Sequence, residues 1–114
     1  MADDFEEQQR ILDPHRIEEQ RRAREETEDR LRDRGITLYS RDSDEDLSDL
    51  LDAIQRFESA VESHGGDLLV NRVGSTEPQD PEFVPPARGP GERAGDYRVR
   101  VDAATDRLRH RRGV

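Results

Sequence analysis

Three acidic residues at alternate positions are the first candidates for chemistry in this sequence. Asp42, Asp44 and Asp46 form the pattern D-x-D-x-D, which opens a calcium-binding loop of the EF-hand type. Such a loop needs glycine at its sixth position and glutamate at its twelfth, but these positions hold Leu47 and Ala53. Because acidic residues interact favourably with the start of a helix dipole, the cluster fits a helix N-terminus better than a calcium site.

Other sites for catalysis or cofactors are not indicated. The chain has no cysteine, and all 19 of its basic residues are arginine, which excludes thiolate catalysis, lysine Schiff bases and a P-loop lysine. His15, His64 and His110 are far apart, and none has a second histidine at helical spacing. The glycine-rich residues 89–95 have the wrong spacing for a phosphate loop. We therefore expect no catalytic residue, no metal and no cofactor, and a protein that is not an enzyme.

A cluster of arginines near the C-terminus could contact the phosphates of a nucleic acid. Only Tyr97 lies near enough to stack on a base, and most of the chain is acidic. Cations at the end of a helix also fit an ordinary interaction with the helix dipole. Nucleic-acid binding is therefore the alternative function. Its candidate residues are Arg98, Arg100, Arg107, Arg109, Arg111 and Arg112.

The stretch around which the chain is organised runs from residue 43 to residue 65. Apolar residues follow one another there at steps of three and four, as on one face of an amphipathic helix. Ser43 fits the N-cap, and Gly65 fits the left-handed residue that ends a helix. Because a lone helix is not stable in water, its apolar face must be covered by the rest of the chain, a second copy or another protein.

Two more helices are predicted on either side of this stretch. Residues 14–34 are rich in helix formers, with Asp13 as N-cap, but the apolar seam is too weak to encode a coiled-coil dimer strongly. Residues 92–112 regain helical spacing, and their narrow apolar stripe is expected to pack on the central helix. That stripe consists of Tyr97, Val101, Ala104 and Leu108.

The segments between the helices are short apolar runs and a proline-rich stretch. Residues 36–39 and 67–70 favour β-structure and could form a minimal parallel βαβ unit, or could lie across the helix as apolar segments. Residues 74–91 hold five of the six prolines, which predicts an extended linker. Within it, Phe83 and Val84 fit an anchor over the core better than a docking segment for a partner.

Composition restricts the partners and the location. Charged residues make up 41% and apolar residues 30% of the 114-residue chain, and its formal net charge is −9. An acidic body argues against general binding to nucleic acids or anionic membranes. No apolar run approaches the length that spans a membrane, so we expect a cytoplasmic protein without a membrane contact.

Together these patterns predict a mainly α protein with at most two short strands. Its expected parts are a polar helical arm at 1–34, a small core at 35–73, a Pro/Gly-rich linker at 74–91 and a basic helix at 92–114. The leading function is a non-enzymatic interaction module that binds another protein or a second copy of itself. The residues expected to carry that contact, each of which fits plain core at least as well, are Leu50, Leu51, Ile54, Phe57 and Val61.

Overall fold

The computed structural model describes residues 14–111. These residues form three α-helices and one short 3-10 helix, with no β-strand among them. The α-helices are α1 (Pro14–Asp33), α2 (Asp44–Ser63) and α3 (Ala94–His110), and the 3-10 helix is Pro81–Phe83. The prediction of a mainly α fold is confirmed.

The central helix α2 begins and ends where the sequence predicts. The Ser43 hydroxyl accepts a hydrogen bond from Asp46 N at 3.0 Å, and the Asp46 carboxylate accepts one from Ser43 N at 3.1 Å. This reciprocal capping box satisfies two donors that have no partner within the helix. At the other end Gly65 has a φ of 79°, and Gly66 N donates back to Val61 O at 2.9 Å. That geometry is a Schellman ending, which needs a left-handed residue such as glycine.

Helix α3 packs along α2 and runs in the same direction. The side chains of Arg56 and Asp102 meet at 3.0 Å, and farther along both helices His64 Nε2 lies 2.7 Å from Leu108 O. Since these contacts advance together along the two helices, the helices are parallel. The chain between them must therefore run back along the core.

The hydrophobic core lies between the facing sides of α2 and α3. The apolar stripe predicted for α3 is buried there, which confirms its placement on the central helix. Phe83 also enters this core from the proline-rich segment, so its role as an anchor is confirmed. The main apolar members of the core are Leu31, Ile36, Leu47, Leu50, Leu51, Ala53, Ile54, Phe57, Ala60, Val61, Phe83, Tyr97, Val101, Ala104 and Leu108.

Helix α1 contacts the core only near its C-terminal end. Leu31 is its buried residue, and residues 14–23 are all exposed. The weak apolar seam read from the sequence explains this arrangement, because most positions of α1 have nothing to gain from burial. The N-cap predicted at Asp13 lies outside the described residues, as does the rest of the arm before it.

No strand forms at residues 36–39, so the βαβ unit, one of the two alternatives for these segments, is wrong. Ile36 N donates to Leu31 O at 3.1 Å, and Tyr39 N donates to the Asp42 carboxylate at 2.9 Å. Because local partners satisfy these backbone groups, they are not available for a ladder. The segment instead lies across the core with Ile36 buried, which is the alternative that the sequence left open.

The second predicted strand, at residues 67–70, is a turn. Leu69 N donates to Asp67 Oδ1 at 2.8 Å, and Asn71 N donates to Asp67 O at 3.3 Å. An aspartate side chain that binds the backbone two residues later favours a turn over an extended strand. This turn leaves the side chains of Leu69 and Val70 in solvent.

Residues 74–91 return along the core from the end of α2 toward the start of α3. Apart from the 3-10 helix, they contain neither a helix nor a strand. Phe83 and Arg88 are both buried, so two side chains fix this proline-rich segment to the body.

Candidate functional site

The residues predicted to contact a partner lie inside the molecule. The most exposed of them, Leu51, shows only 7% of its surface to solvent. Helix α3, the end of α1 and the connecting segments cover most of the apolar face of α2, so the chain itself supplies most of the cover that this face requires. The structure therefore gives the plain-core role to Leu50, Leu51, Ile54, Phe57 and Val61.

Three of the six candidate arginines are held in ion pairs within the chain. Arg100 donates to the Glu92 carboxylate at 2.6 and 2.8 Å. Arg111 lies 2.6 Å from a carboxylate oxygen of Asp80, and Arg98 makes a longer contact of 3.9 Å with an acid on its own helix. A guanidinium already paired with a carboxylate adds little to the attraction of phosphate.

The other candidate arginines do not complete a nucleic-acid surface. Arg107 and Arg109 are exposed on α3, and Arg112 lies outside the described residues. Tyr97 is fully buried, so it cannot stack on a base as the sequence suggested. The structure does not bring these groups together with an exposed aromatic ring.

The acidic cluster at the start of α2 serves three separate roles within the fold. Asp42 pairs with Arg88 in the interior, Asp44 pairs with Arg24 at 2.6 Å, and Asp46 completes the capping box. In the described part of the chain, no group of three or more His, Asp or Glu side chains is arranged to hold a metal ion.

A buried ion pair joins the proline-rich segment to the loop before α2. Arg88 Nη1 donates to Asp42 Oδ2 at 2.7 Å, and Nη2 donates to Oδ1 at 2.8 Å. The two side chains are only 0% and 2% exposed. Arg88 also donates from Nη1 to Thr37 O and from Nε to Glu92 O, each at 3.0 Å. We call this arrangement the Asp42–Arg88 clamp.

The ring of Tyr39 adds to the clamp. The guanidinium of Arg88 lies 4.6 Å from the ring centroid, and that of Arg41 lies 4.9 Å from it. The Tyr39 hydroxyl donates to Gly89 O at 3.3 Å and accepts from Gly91 N at 3.1 Å. Cation–π contact and hydrogen bonds thus fix the loop before α2 against the segment before α3.

Ion pairs lower the pKa of two acidic groups at and beside the clamp. Hydrogen bonds from Arg88 hold the pKa of Asp42 below its usual value, although burial opposes this effect. Hydrogen bonds from Arg100, together with the N–H of Gly89, lower the pKa of the Glu92 side chain to about 2. Both carboxylates are therefore fully ionised near neutral pH.

Tyr97 holds the proline-rich segment against α3. Its hydroxyl donates to Pro86 O at 2.7 Å while its ring lies in the core. Burial raises the pKa of this phenol to about 12, so it remains neutral at ordinary pH.

The clamp is suited to a structural role because its polar groups already have hydrogen-bond partners within the chain. Within residues 14–111, no buried side-chain nitrogen or oxygen lacks a hydrogen-bond partner. A guanidinium that is tied to a carboxylate and two carbonyls has little capacity left for a ligand. The clamp therefore holds the loop before α2 against the segment before α3.

An apolar cleft of about 240 Å³ opens beside the turn at residues 67–70. Leu69 is 78% exposed and lies at its edge, and the neighbouring Val70 is 42% exposed. We call this feature the Leu69 cleft. Its apolar lining consists of Ile36, Ile54, Phe57, Val61, Leu68, Leu69, Phe83 and Pro85.

Three of the four charged side chains that line the Leu69 cleft, those of Arg34, Glu58 and Arg72, form bonds within the chain. Arg34 donates from Nε and Nη2 to the Glu58 carboxylate at 2.9 and 3.2 Å. Arg72 Nη2 donates to Asp33 O at 2.6 Å. The formal charges of these four residues sum to zero. The cleft thus combines an apolar floor with a locally neutral rim.

Residue 66 has no room for a side chain unless Val61 or Phe83 shifts. A Cβ atom at Gly66 would lie 2.4 Å from Val61 Cγ1 and 2.9 Å from Phe83 Cδ2, closer than real Cβ atoms approach. Gly66 therefore lets the end of α2 meet the anchor of the proline-rich segment.

Comparisons with known proteins supply no relative. No family model matches the chain, and no significant match was found among curated proteins or among solved structures. None of the helices in the described residues is both long and apolar enough to cross a membrane.

Sequence reasoning missed both the clamp and the Leu69 cleft. It assigned Asp42 to a helix start and Arg88 to a linker, because no short-range pattern connects residues 46 positions apart. The apolar run at residues 67–70 was interpreted either as a short strand or as a segment laid across the helix, and neither alternative includes a turn that exposes Leu69. An aspartate two residues before Leu69 is the signal that could have indicated a turn.

Proposed function

We propose that this protein is a non-enzymatic protein–protein interaction module and that the Leu69 cleft is its docking surface. The observation that carries the proposal is a leucine, 78% exposed, at the edge of an apolar cleft. Scattered exposed leucines are ordinary, but an exposed leucine that lines an apolar cavity extends apolar surface that is already open to solvent. Such apolar surfaces mark interaction sites on small proteins.

The size and lining of the cleft favour an apolar side chain as its occupant. At about 240 Å³ it is smaller than the roughly 300–1,000 Å³ typical of small-molecule sites. Most of its polar side chains are committed to bonds within the chain, so few groups remain to orient a polar metabolite. An apolar side chain presented by another protein surface meets these conditions.

The proposed contact involves the α2 stripe only where Ile54, Phe57 and Val61 line the Leu69 cleft, because the rest of the stripe is already covered. An interaction through Leu50, which does not line the cleft, would require α3 to leave the core and expose the buried ring of Tyr97. Docking at the Leu69 cleft requires no such rearrangement. Partners of this kind bind with little change in the backbone.

Nucleic-acid binding remains the second candidate to be tested, although the structure offers less for it. It predicts binding of a DNA or RNA oligonucleotide at low salt that weakens steeply as salt increases. The arginine substitutions Arg107→Gln and Arg109→Gln should abolish such binding. Docking at the Leu69 cleft predicts no oligonucleotide binding in the first place.

A photo-crosslinking amino acid at position 69 tests the proposed docking surface in the cells that naturally produce this protein. The full chain carries the reactive group in place of Leu69, and adducts are identified by mass spectrometry. A matched control carries it in place of Val99, which is also exposed but lies outside the cleft. We expect a discrete protein adduct at position 69 and none at position 99.

A second substitution makes the result specific to the cleft. Pro85→Trp places a large ring at the wall of the cavity and should remove the adduct at position 69 while the fold remains intact by circular dichroism. Equal crosslinking at positions 69 and 99, or an adduct unaffected by Pro85→Trp, would contradict the proposal.

A further inference from the structure

We infer that the occupant of the Leu69 cleft is a second copy of this chain, in a two-fold dimer in which each Leu69 enters the cleft of the other copy. This inference rests on the proposed function, since it names the partner of the same surface. Three observations support it: the position of Leu69, the volume of the cavity and the charge at the rim.

The position of Leu69 makes this surface complementary to itself. The turn at residues 67–70 presents an exposed leucine directly beside a cavity that the same leucine helps to line. In a two-fold interface the same patch of both copies is used, so a projection and a cavity must lie side by side. An axis that passes between Leu69 and the cleft brings each leucine over the other copy's cavity.

The volume of the cavity suits a leucine. A dry apolar cavity of ~150 Å³ can hold a group the size of benzene. The Leu69 cleft, at about 240 Å³, therefore has space for one leucine side chain and part of a neighbouring apolar group. Val70, 42% exposed and adjacent in sequence, supplies such a group.

The charge at the rim permits close approach of an identical copy. Two copies that each carry a formal charge of −9 repel each other over most of their surfaces. At the rim of the cleft, Asp33 and Glu58 are balanced by Arg34 and Arg72. Two such neutral rims can meet without the like-charge contact that an acidic surface would impose, and each offers the other both signs of charge.

Light scattering at increasing concentration tests the dimer. The average mass of the purified full chain should rise from 13.2 kDa toward twice that value as the concentration approaches about 1 mM, as expected for a small, weak interface. Leu69→Ala should weaken association by about 100-fold, roughly tenfold for each of the two leucines that the dimer buries. The control Val99→Ala should associate like the parent chain.

Mixing two deficient variants tests the reciprocal arrangement. Leu69→Ala keeps an open cleft but lacks the leucine, whereas Leu68→Trp keeps the leucine but fills the cleft. Each should remain monomeric alone. Their mixture should form a dimer about tenfold weaker than that of the parent chain, because one of the two leucine contacts is retained. If Leu68→Trp is misfolded by circular dichroism, Pro85→Trp takes its place.

The outcomes separate this inference from the proposed function. A parent chain that stays at 13.2 kDa throughout, Leu69→Ala that associates normally, or deficient variants that do not complement each other would overturn the dimer. A cleft-dependent adduct with a different protein at position 69 would then still support docking at the cleft. Loss of that adduct together with the dimer would remove both proposals.

Discussion

Two regions of the molecule differ in whether their side chains already have partners within the chain. One is the N-terminal end of the α2–α3 pair, and the other is the surface beside the C-terminal half of α2. At the first, the Asp42–Arg88 clamp lies in the interior, and its donors and acceptors bind one another. At the second, the Leu69 cleft is open, and a large apolar side chain is left in solvent at its edge. Both regions are built mainly from the segments that connect the helices.

The first region is expected to contribute mainly to the stability of the fold, and the second mainly to binding. A buried charged pair has little value as a recognition surface but is costly to disrupt, because removing one partner leaves the other charge unpaired in the interior. An exposed apolar residue beside a cavity contributes little to the free energy of unfolding, yet it becomes buried when a partner docks. Substitutions in the clamp should therefore change the free energy of unfolding, whereas substitutions at the edge of the cleft should change association.

The largest expected effect comes from breaking the clamp. Arg88→Met should lower the free energy of unfolding by about 3–5 kcal/mol, since Asp42 would remain as an uncompensated buried charge. Urea denaturation followed by circular dichroism measures the loss. The control Arg56→Met removes an ion pair with Asp102 that is partly exposed, and it should cost no more than ~1 kcal/mol. Similar losses for the two variants would contradict the structural role of the clamp.

A smaller effect is expected where the cleft meets the core. Phe83→Ala should lower the free energy of unfolding by about 3 kcal/mol, the lower end of the usual range for such substitutions, because the open cleft already borders the ring. Leu69→Ala, measured alongside at a concentration where the chain is monomeric, should leave the denaturation midpoint nearly unchanged. A loss below ~1 kcal/mol for Phe83→Ala would show that this ring does not anchor the proline-rich segment.

Acid should weaken the side of the molecule that carries the clamp. Glu92 has its pKa lowered from 4.5 to about 2, and that of Asp42 is lowered in the same direction. The unfolded chain therefore binds more protons than the folded chain below about pH 4.5, and stability falls as pH decreases through this window toward pH 2. Urea midpoints at several pH values measure the slope.

The variant Glu92→Gln isolates the contribution of one carboxylate to this slope. It should be less stable than the parent chain near neutral pH, because its ion pair with Arg100 is lost. It should also lose less stability than the parent chain as the pH falls from about 4.5 toward about 2. Parallel curves for the two proteins would show that Glu92 contributes nothing to the acid dependence.

The smallest effect on stability is expected at the edge of the cleft. Leu69→Asp should change the free energy of unfolding of the monomer by less than ~0.5 kcal/mol, as surface substitutions usually do. The same is expected of the control Val99→Asp. Only the first should abolish dimer formation at the cleft. If Leu69→Asp instead unfolds the chain, the leucine belongs to the core and the contrast between the two regions fails.

Local sequence signals were sufficient for the central helix and for much of its surroundings. Ser43 and Gly65 mark the ends of α2 because capping and left-handed turns depend on residues only a few positions apart. The apolar spacing of α3 likewise predicts its buried face, and Phe83 stands out as the one aromatic residue in a proline-rich stretch.

The sequence left open whether residues 36–39 and 67–70 form strands, because β-propensity competes with tertiary context. The run Ile36–Tyr39 has the composition of a strand. Its backbone donors at Ile36 and Tyr39, however, bind Leu31 and Asp42 and not a second strand. The turn at residues 67–70 shows the same competition, with Asp67 binding the backbone of Leu69.

The sequence by itself determined where the helices lie and which of their faces are apolar, because periodicity and capping are local properties. Only the tertiary structure decided what covers those faces. It placed Arg88 on Asp42 across 46 positions and left Leu69 in solvent beside a cavity that several segments form together. The physical reason is that a buried ion pair and a cavity depend on how the chain returns upon itself, which residue spacing does not encode.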